Sequence, residues 1–340
     1  MLRGALIGAG NAAMNGHLPA YLNDAWLQKK VKIVAAADLS EENLTMLQTR
    51  MPSLRIDRSA AKLLAAEDLD VDFIDICAPP QAHSYLIRLA SQRGRHILCE
   101  KPLAVDMTEG LEIQQCVAAH RIVFMPCHQH RFSPLWQTVH QLVGEDAIGE
   151  VHLAQFEVFR QRAEPGNEHW MANWRTDPRL GGGIIFDVGT HCFYLAFSLF
   201  GLPEWVSTQI AWLTHTDYKV EDTALIVLGY PNRLVQINLT WAADHHENCV
   251  RLIGTKGNIE LRGDKIALQR GDDRCEWVID GASSKTAHPQ YYGRLFREFV
   301  HQIETKNYST RFLEEAANAL RCATLCYRSA KTGKTCRFSN

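Results

Sequence analysis

No Cys-x-x-Cys pair occurs, although ten cysteines are spread along the 340 residues. That absence removes the commonest zinc and redox spacings, and a core this large needs no disulfide staples. The expectation is reduced thiols in a cytoplasmic protein. No uninterrupted apolar run of about 18 residues is present, so a membrane partner is not expected. The most apolar stretch, Cys192 to Leu202, is too short. Net charge is nearly missing as well: 36 Lys and Arg stand against 38 Asp and Glu, a formal balance of -2. Without a global positive field, nucleic acid loses its cheapest means of attachment. A long apolar h-region with a cleavage site is also absent, and MLRGALIGAG reads as a native N-terminus. There is no internal repeat and no low-complexity linker.

What remains is ordinary globular material. Apolar residues make up 46% and charged residues 22%, which excludes disorder as the main state. At roughly 150 residues per domain, the length suggests two domains.

The first part alternates strand and helix. Short apolar strands are expected at Arg3–Ile7, Val31–Ala37, Phe73–Ala78, His96–Cys99 and Ile122–Met125. Helical patterns lie at Ser40–Thr49, Ser59–Ala66, Gln81–Arg93 and Thr108–His120. This alternation implies an α/β fold with a doubly wound parallel sheet. Near Pro126 the rhythm changes. A β-rich run at Val151–Gln161 and a helical segment at Gly181–Phe200 come first. Strands follow at Val206–His215, Thr223–Leu228, Leu234–Trp241, Cys249–Ile253, Asn258–Arg262, Ile266–Gln269 and Trp277–Ile279. Tight turn signals between them argue for a mainly antiparallel sheet. The tail returns to helix at Tyr291–Glu304 and Phe312–Ser329. The domains are therefore drawn at 1–126 and 127–340, with the C-terminal helix free to pack back on the first.

Gly8 to Ala13 reads GAGNAA, a G-x-G-x-x-A loop directly after the first strand. Gly8 permits the tight turn, Gly10 lets backbone approach a pyrophosphate, and Ala13 lets helix and strand pack closely. The second strand ends in Asp38. A carboxylate there holds ribose hydroxyls and repels a 2′-phosphate, which favours NAD over NADP. Glu100-Lys101-Pro102 follows the fourth strand, at the strand ends where such sheets place ligands. A lysine there can stabilise a developing alkoxide. In GGGIIFDVGTH, Gly181 to His191, Asp187 and His191 are four residues apart and share a face if helical. A histidine beside a carboxylate makes a competent general base near neutral pH.

Taken together and in this order, these pieces resemble the Gfo/Idh/MocA oxidoreductases over nearly the whole chain. Cys77-Ala78-Pro79-Pro80 with His83 belongs to the same pattern. The resemblance implies a Rossmann domain followed by an α/β domain with a large open, mainly antiparallel sheet. It implies an NAD(P)-dependent dehydrogenase of sugars, cyclitols or nucleotide sugars. By resemblance Lys101, Asp187 and His191 are catalytic. Gly8, Gly10, Asp38, Pro79, His83 and Glu100 then fall at cofactor positions, with Ala9, Asn11, Ala12, Ala78 and Lys101 beside them. One departure is Tyr194, where the family often has Asp.

Substrate contacts are expected from His128, His130 and Arg131, which open the second domain, and from Trp170, Trp174 and Arg175. A tryptophan face stacks on sugar C–H groups, and an arginine fork suits a carboxylate or phosphate. His-x-His suggests a metal, but no third ligand stands at helpful spacing, so none is assigned. A homodimer or homotetramer is expected through the open sheet face, with Trp212, Ile226, Leu228, Ile237, Leu239 and Trp241 supplying it. Two rivals remain at this point. One is a redox-neutral NAD-dependent glycosidase or epimerising enzyme. The other is a ligand-sensing regulator on the same scaffold, which intact Lys101, Asp187 and His191 count against.

Overall fold

A computed structural model describes residues 1–163, 173–279 and 288–338. Trp170 lies outside the described residues. The chain divides into two compact units. The first comprises residues 1–129 and 288–317, and the second residues 130–163, 173–279 and 318–338. The segment around Tyr291 thus belongs to the first unit, although it follows all but the last strand of the second sheet in sequence.

In the first unit, strands β1 (Leu2–Ile7), β2 (Val31–Ala37), β3 (Arg55–Asp57), β4 (Phe73–Ile76), β5 (His96–Cys99) and β6 (Phe124–Pro126) form a parallel sheet. Among the described residues the strand order is β3-β2-β1-β4-β5-β6, the doubly wound order with its switch point at β1 and β4. Ala5, Ile74, Ile97 and Leu98 are fully buried, as strands covered on both faces must be. Helices α1 (Leu18–Asn23) and α2 (Leu27–Lys30) fill the segment after the glycine loop, which the periodicity leaves unassigned. Helices α3 (Glu41–Arg50), α4 (Ala60–Ala65), α5 (His83–Ser91) and α6 (Met107–Ala118) connect the later strands. Ser40, Ser59 and Asp106 cap α3, α4 and α6 with side-chain oxygens. Strand β3 is too short and too exposed to carry an apolar signal, and the expected strand list lacks it.

In the second unit, α7 (Pro134–Gly144) precedes β7 (Val151–Phe159), and α8 (Thr190–Phe200) precedes β8 (Trp205–Ala211). The strands continue as β9 (Thr223–Gly229), β10 (Leu234–Thr240), β11 (Glu247–Gly254), β12 (Asn258–Arg262), β13 (Lys265–Arg270) and β14 (Asp273–Val278). After α9 (Pro289–Glu304) and α10 (Arg311–Thr332), the short β15 (Cys336–Arg337) joins β8 at the sheet edge. The order is β14-β13-β12-β11-β7-β10-β9-β8-β15, antiparallel except for β7 with β10. Pro178–Phe200 is long and apolar enough to cross a membrane by composition, yet 67% of its window is buried within the protein, as in a core helix.

The open face of this sheet is not the one expected from the sequence. Ile226, Leu228, Ile237, Leu239 and Trp241 are buried at 0–1% exposure, so they face the core instead. The opposite pleat carries Leu225, Val227, Gln236 and Asn238, with Leu225 at 53% exposure. The most apolar alternate positions seek the interior, and a one-residue slip in reading moves every side chain to the other face. Of the expected set, Trp212 alone is exposed, just beyond the end of β8. We expect Ile237→Ala to lose about 3 kcal/mol in urea unfolding. Leu225→Ala should cost the single subunit no more than about 0.5 kcal/mol, read at a protein concentration low enough to dissociate any oligomer. The reverse order would restore the first register.

Candidate active site

In the first unit the glycine loop grows out of β1. Gly8 has φ 90°, and a Cβ there would stand 2.6 Å from the Ala78 nitrogen, so only glycine fits between the ends of β1 and β4. Its N–H donates to the Ala37 carbonyl at 2.8 Å. Asp38, at the end of β2, accepts from the Ala9 N–H at 2.6 Å and the Ser40 N–H at 2.7 Å. Asp38 therefore folds the glycine loop as well as presenting a half-buried carboxylate. Asn11 accepts from the Asn15 side-chain amide at 2.6 Å. A single π-helical turn, Ala13–His17, follows the loop. Such turns are rare and recur at functional sites. A small-residue loop with a carboxylate at the neighbouring strand end fits a dinucleotide. Gly8, Ala9, Gly10, Asn11, Ala12 and Asp38 are the residues that would hold it.

Ala78 and Pro79 sit just past β4, and Pro79 is exposed. His83 is wholly buried, with Nδ1 2.9 Å from the Pro102 carbonyl and Nε2 2.8 Å from the Ala78 carbonyl. It clamps the loop after β4 to the loop after β5. Burial lowers its pKa against the pull of those carbonyls. Glu100 is buried too, and its Oε2 accepts from the backbone N–H of Lys101 at 3.0 Å. The side chains of His83 and Glu100 thus shape the loops, while Lys101 is half-buried at the strand end. His128 is also internal to this unit, with Nδ1 2.8 Å from Glu315. The residue expected to meet substrate is thus a buried side chain at hydrogen-bond distance from Glu315.

In the second unit, Gly181–Gly183 leads into a second π-helical turn, Ile185–Gly189, and then α8. The Gly183 N–H donates to the Arg175 carbonyl at 2.9 Å. Gly183 has φ 115°, and a Cβ there would strike the Tyr327 hydroxyl at 2.1 Å. Asp187 is buried and accepts from Arg175 Nε at 2.9 Å. The Arg175 guanidinium lies 4.5 Å from the Trp174 ring centre. His191 meets the Tyr194 hydroxyl through Nδ1 at 2.8 Å. Its ring stands edge-on to His130, with centroids 4.7 Å apart. Arg131 is half-buried in the turn Gln129–Phe132. The block thus brings together Trp174, Arg175 and Asp187 as one group, and His130, His191 and Tyr194 as another.

Two partners were missed by sequence reasoning. Tyr194 meets the imidazole from i+3, a legible helical spacing. Glu221 is the other, and no local motif announces it. It is 2% exposed and accepts from the Tyr327 hydroxyl at 2.7 Å and the Ile185 N–H at 3.1 Å, holding the start of the π-turn. Burial raises its pKa to about 7 against those two donors. Since the folded value exceeds the ordinary 4.5, the fold favours the neutral acid. Its contribution is complete below pH 4.5 and is lost as pH rises through 7. Urea unfolding should show wild type losing about 3 kcal/mol relative to Glu221→Gln between pH 4.5 and 8.5. A flat difference would mean that Glu221 is ionised throughout.

The family models for the NAD-binding Rossmann fold of the oxidoreductase family and for the GFO/IDH/MocA C-terminal domain match residues 2–128 and 136–260. The chain belongs to the Gfo/Idh/MocA oxidoreductase family. An uncharacterized oxidoreductase of Schizosaccharomyces pombe, C115.03, is 26% identical over 68% of this chain and 61% of its own length. The chain thus spans about three fifths of the first curated relatives it matches. Levoglucosan dehydrogenase, solved with NADH and levoglucosan, superposes with TM-score 0.86 at 18% identity, covering 100% of both chains. The WlbA dehydrogenase from Chromobactrium violaceum, solved with NADH and UDP-GlcNAcA, gives 0.83 at 22% identity, covering 99% of this chain and 95% of that one. At such identities the superpositions establish the fold, and the family model establishes NAD binding as the role of the first unit.

Proposed function

We propose that this family member is an NAD-dependent dehydrogenase that oxidises a hydroxyl-bearing carbon of a sugar, cyclitol or nucleotide sugar in the cytoplasm. The observation that carries the reading is the His191 imidazole, held at Nδ1 by Tyr194, one helical turn along the chain from the Asp187–Arg175 ion pair. NAD, when bound, supplies the hydride acceptor. His191 takes the hydroxyl proton at Nε2, in the tautomer whose Nδ1–H donates to the Tyr194 oxygen. Lys101 stabilises the alkoxide-like oxygen with its charge. Asp187 holds Arg175 extended over Trp174, so that cation and ring face are presented together to a polyol or its anionic substituent. His130, packed against His191, contributes a further polar contact. The ligands named for levoglucosan dehydrogenase and WlbA support a carbohydrate-like substrate. A homodimer or homotetramer through the face bearing Leu225 belongs to the same proposal.

Calorimetric titration with NADH and then NADPH tests the cofactor side. NADH should bind tenfold or more tightly than NADPH, and Asp38→Ser should narrow that ratio. Absence of binding by either would sink the dehydrogenase reading.

A further inference from the structure

Beneath the lysine loop lies a buried polar cluster that the proposed chemistry leaves unused. His17, on the turn after the glycine loop, is wholly buried. Its Nδ1 stands 2.9 Å from Asp75 Oδ2, and its Nε2 3.1 Å from Glu100 Oε1. Each carboxylate has a further donor: Tyr21 on Asp75 at 2.9 Å and Tyr292 on Glu100 at 2.7 Å. Cys77 Sγ approaches the same ring at 3.3 Å, and the ring packs against Tyr292 at 4.3 Å. Cys127 completes the surroundings. Both ring nitrogens meet carboxylates at hydrogen-bond distance, so the ring donates twice as an imidazolium. Burial pushes the His17 pKa down, but the charges and hydrogen bonds of Asp75 and Cys127 together outweigh it and place it well above the ordinary value. Glu100 in turn is brought to about 2, burial being outweighed by the His17 hydrogen bond and charge.

A buried charged cluster is expensive and adds little to net stability, so what it contributes is sought in geometry. Glu100 Oε2 is the acceptor for the backbone N–H of Lys101. We propose that His17 is a positioning residue for Lys101: it orients the Glu100 carboxylate, which fixes the Lys101 backbone, and so ties the turn after the glycine loop to the lysine loop. The kinetic arm rests on the function proposed above; the geometric arm does not.

Histidine can be dissected by two amides. Asparagine reproduces Nδ1, the Asp75 side, and glutamine reproduces Nε2, the Glu100 side. Each variant loses one buried hydrogen bond and the charge. Hydrogen exchange followed by mass spectrometry reads the loop directly. In His17→Asn the amides of Glu100, Lys101 and Leu103 should exchange tenfold or more faster, with strand 31–37 unchanged. In His17→Gln the loop should exchange within threefold of wild type. Glu100→Ala, which removes the acceptor of the Lys101 N–H, should match the asparagine variant. With a polyol that wild type oxidises, His17→Asn should lower kcat ten- to a hundredfold and leave KM for NAD within threefold. His17→Gln should keep most of kcat. Equal exchange in both variants, or an equal rise across the whole unit, would overturn the proposal. Failure of both to fold would overturn it too, because His17 would then hold the domain rather than the loop. If no polyol is oxidised by wild type but the exchange pattern appears, the positioning role stands and the dehydrogenase reading falls.

Discussion

Replacing Lys101 by methionine should lower kcat about 10²- to 10³-fold while leaving NADH affinity within about threefold. The residue follows β5, at the end of the parallel sheet where doubly wound folds bind ligands. Its backbone is fixed by Glu100, and its side chain is half-buried. Methionine keeps most of the aliphatic stem and removes the charge alone. A charge acting on oxygen that becomes alkoxide-like is felt more in the transition state than in the ground state, so kcat falls and KM moves little. Steady-state kinetics on an oxidised polyol, with calorimetry for NADH, separates the two. Near-full turnover by Lys101→Met would remove the lysine from the chemistry.

The second large effect is expected from a methyl group. Gly8→Ala should weaken NADH binding at least a hundredfold, about 2.7 kcal/mol. The added Cβ meets backbone at Ala78, not a flexible side chain that could swing away. It also demands φ 90° of a residue that disfavours it. The glycine loop must therefore part from the end of β4, which displaces Ala9 from Asp38. Gly94→Ala is the matched control. Gly94 has φ 66° but open space at its Cβ, so it carries backbone strain without collision. Its cost should be about 1 kcal/mol in thermal unfolding, with NADH binding unchanged. Equal losses of binding in the two variants would mean that strain, not the close approach of β1 and β4, governs the loop.

Much of the parallel sheet was legible because its strands are short apolar runs between capped helices. Ser40 and Ser59 announce their helices in sequence and cap them in the structure. β3 was not legible, because an edge strand of Arg55, Ile56 and Asp57 carries no apolar signal. The antiparallel strands were found, but their faces were inverted, since alternation fixes which residues share a face and not which face is covered. The helix Gly189–Leu239 contact, with a Cβ at Gly189 only 3.3 Å from Leu239, shows which side the core takes.

The site divides in the same way. The glycine loop, Asp38 and Lys101 follow local rules and stand at strand ends, as expected. The Arg175 partner of Asp187 stands twelve residues earlier in a separate turn, which a helical spacing does not announce. Asp187 is engaged by Arg175, and His191 by Tyr194. His17, Glu221 and Tyr292 act over separations of 36 to 192 residues in the bonds that matter here, beyond any local motif.

The central claim is hydride transfer from a carbohydrate carbon to NAD. It is tested most directly by incubating the protein with NAD and carbon-deuterated sugars and cyclitols, then weighing the nicotinamide by mass spectrometry. Deuterium is expected in the reduced cofactor with at least one of them, and its loss in His191→Ala. Reduced cofactor that carries no deuterium from any of them, or none formed at all, would contradict it.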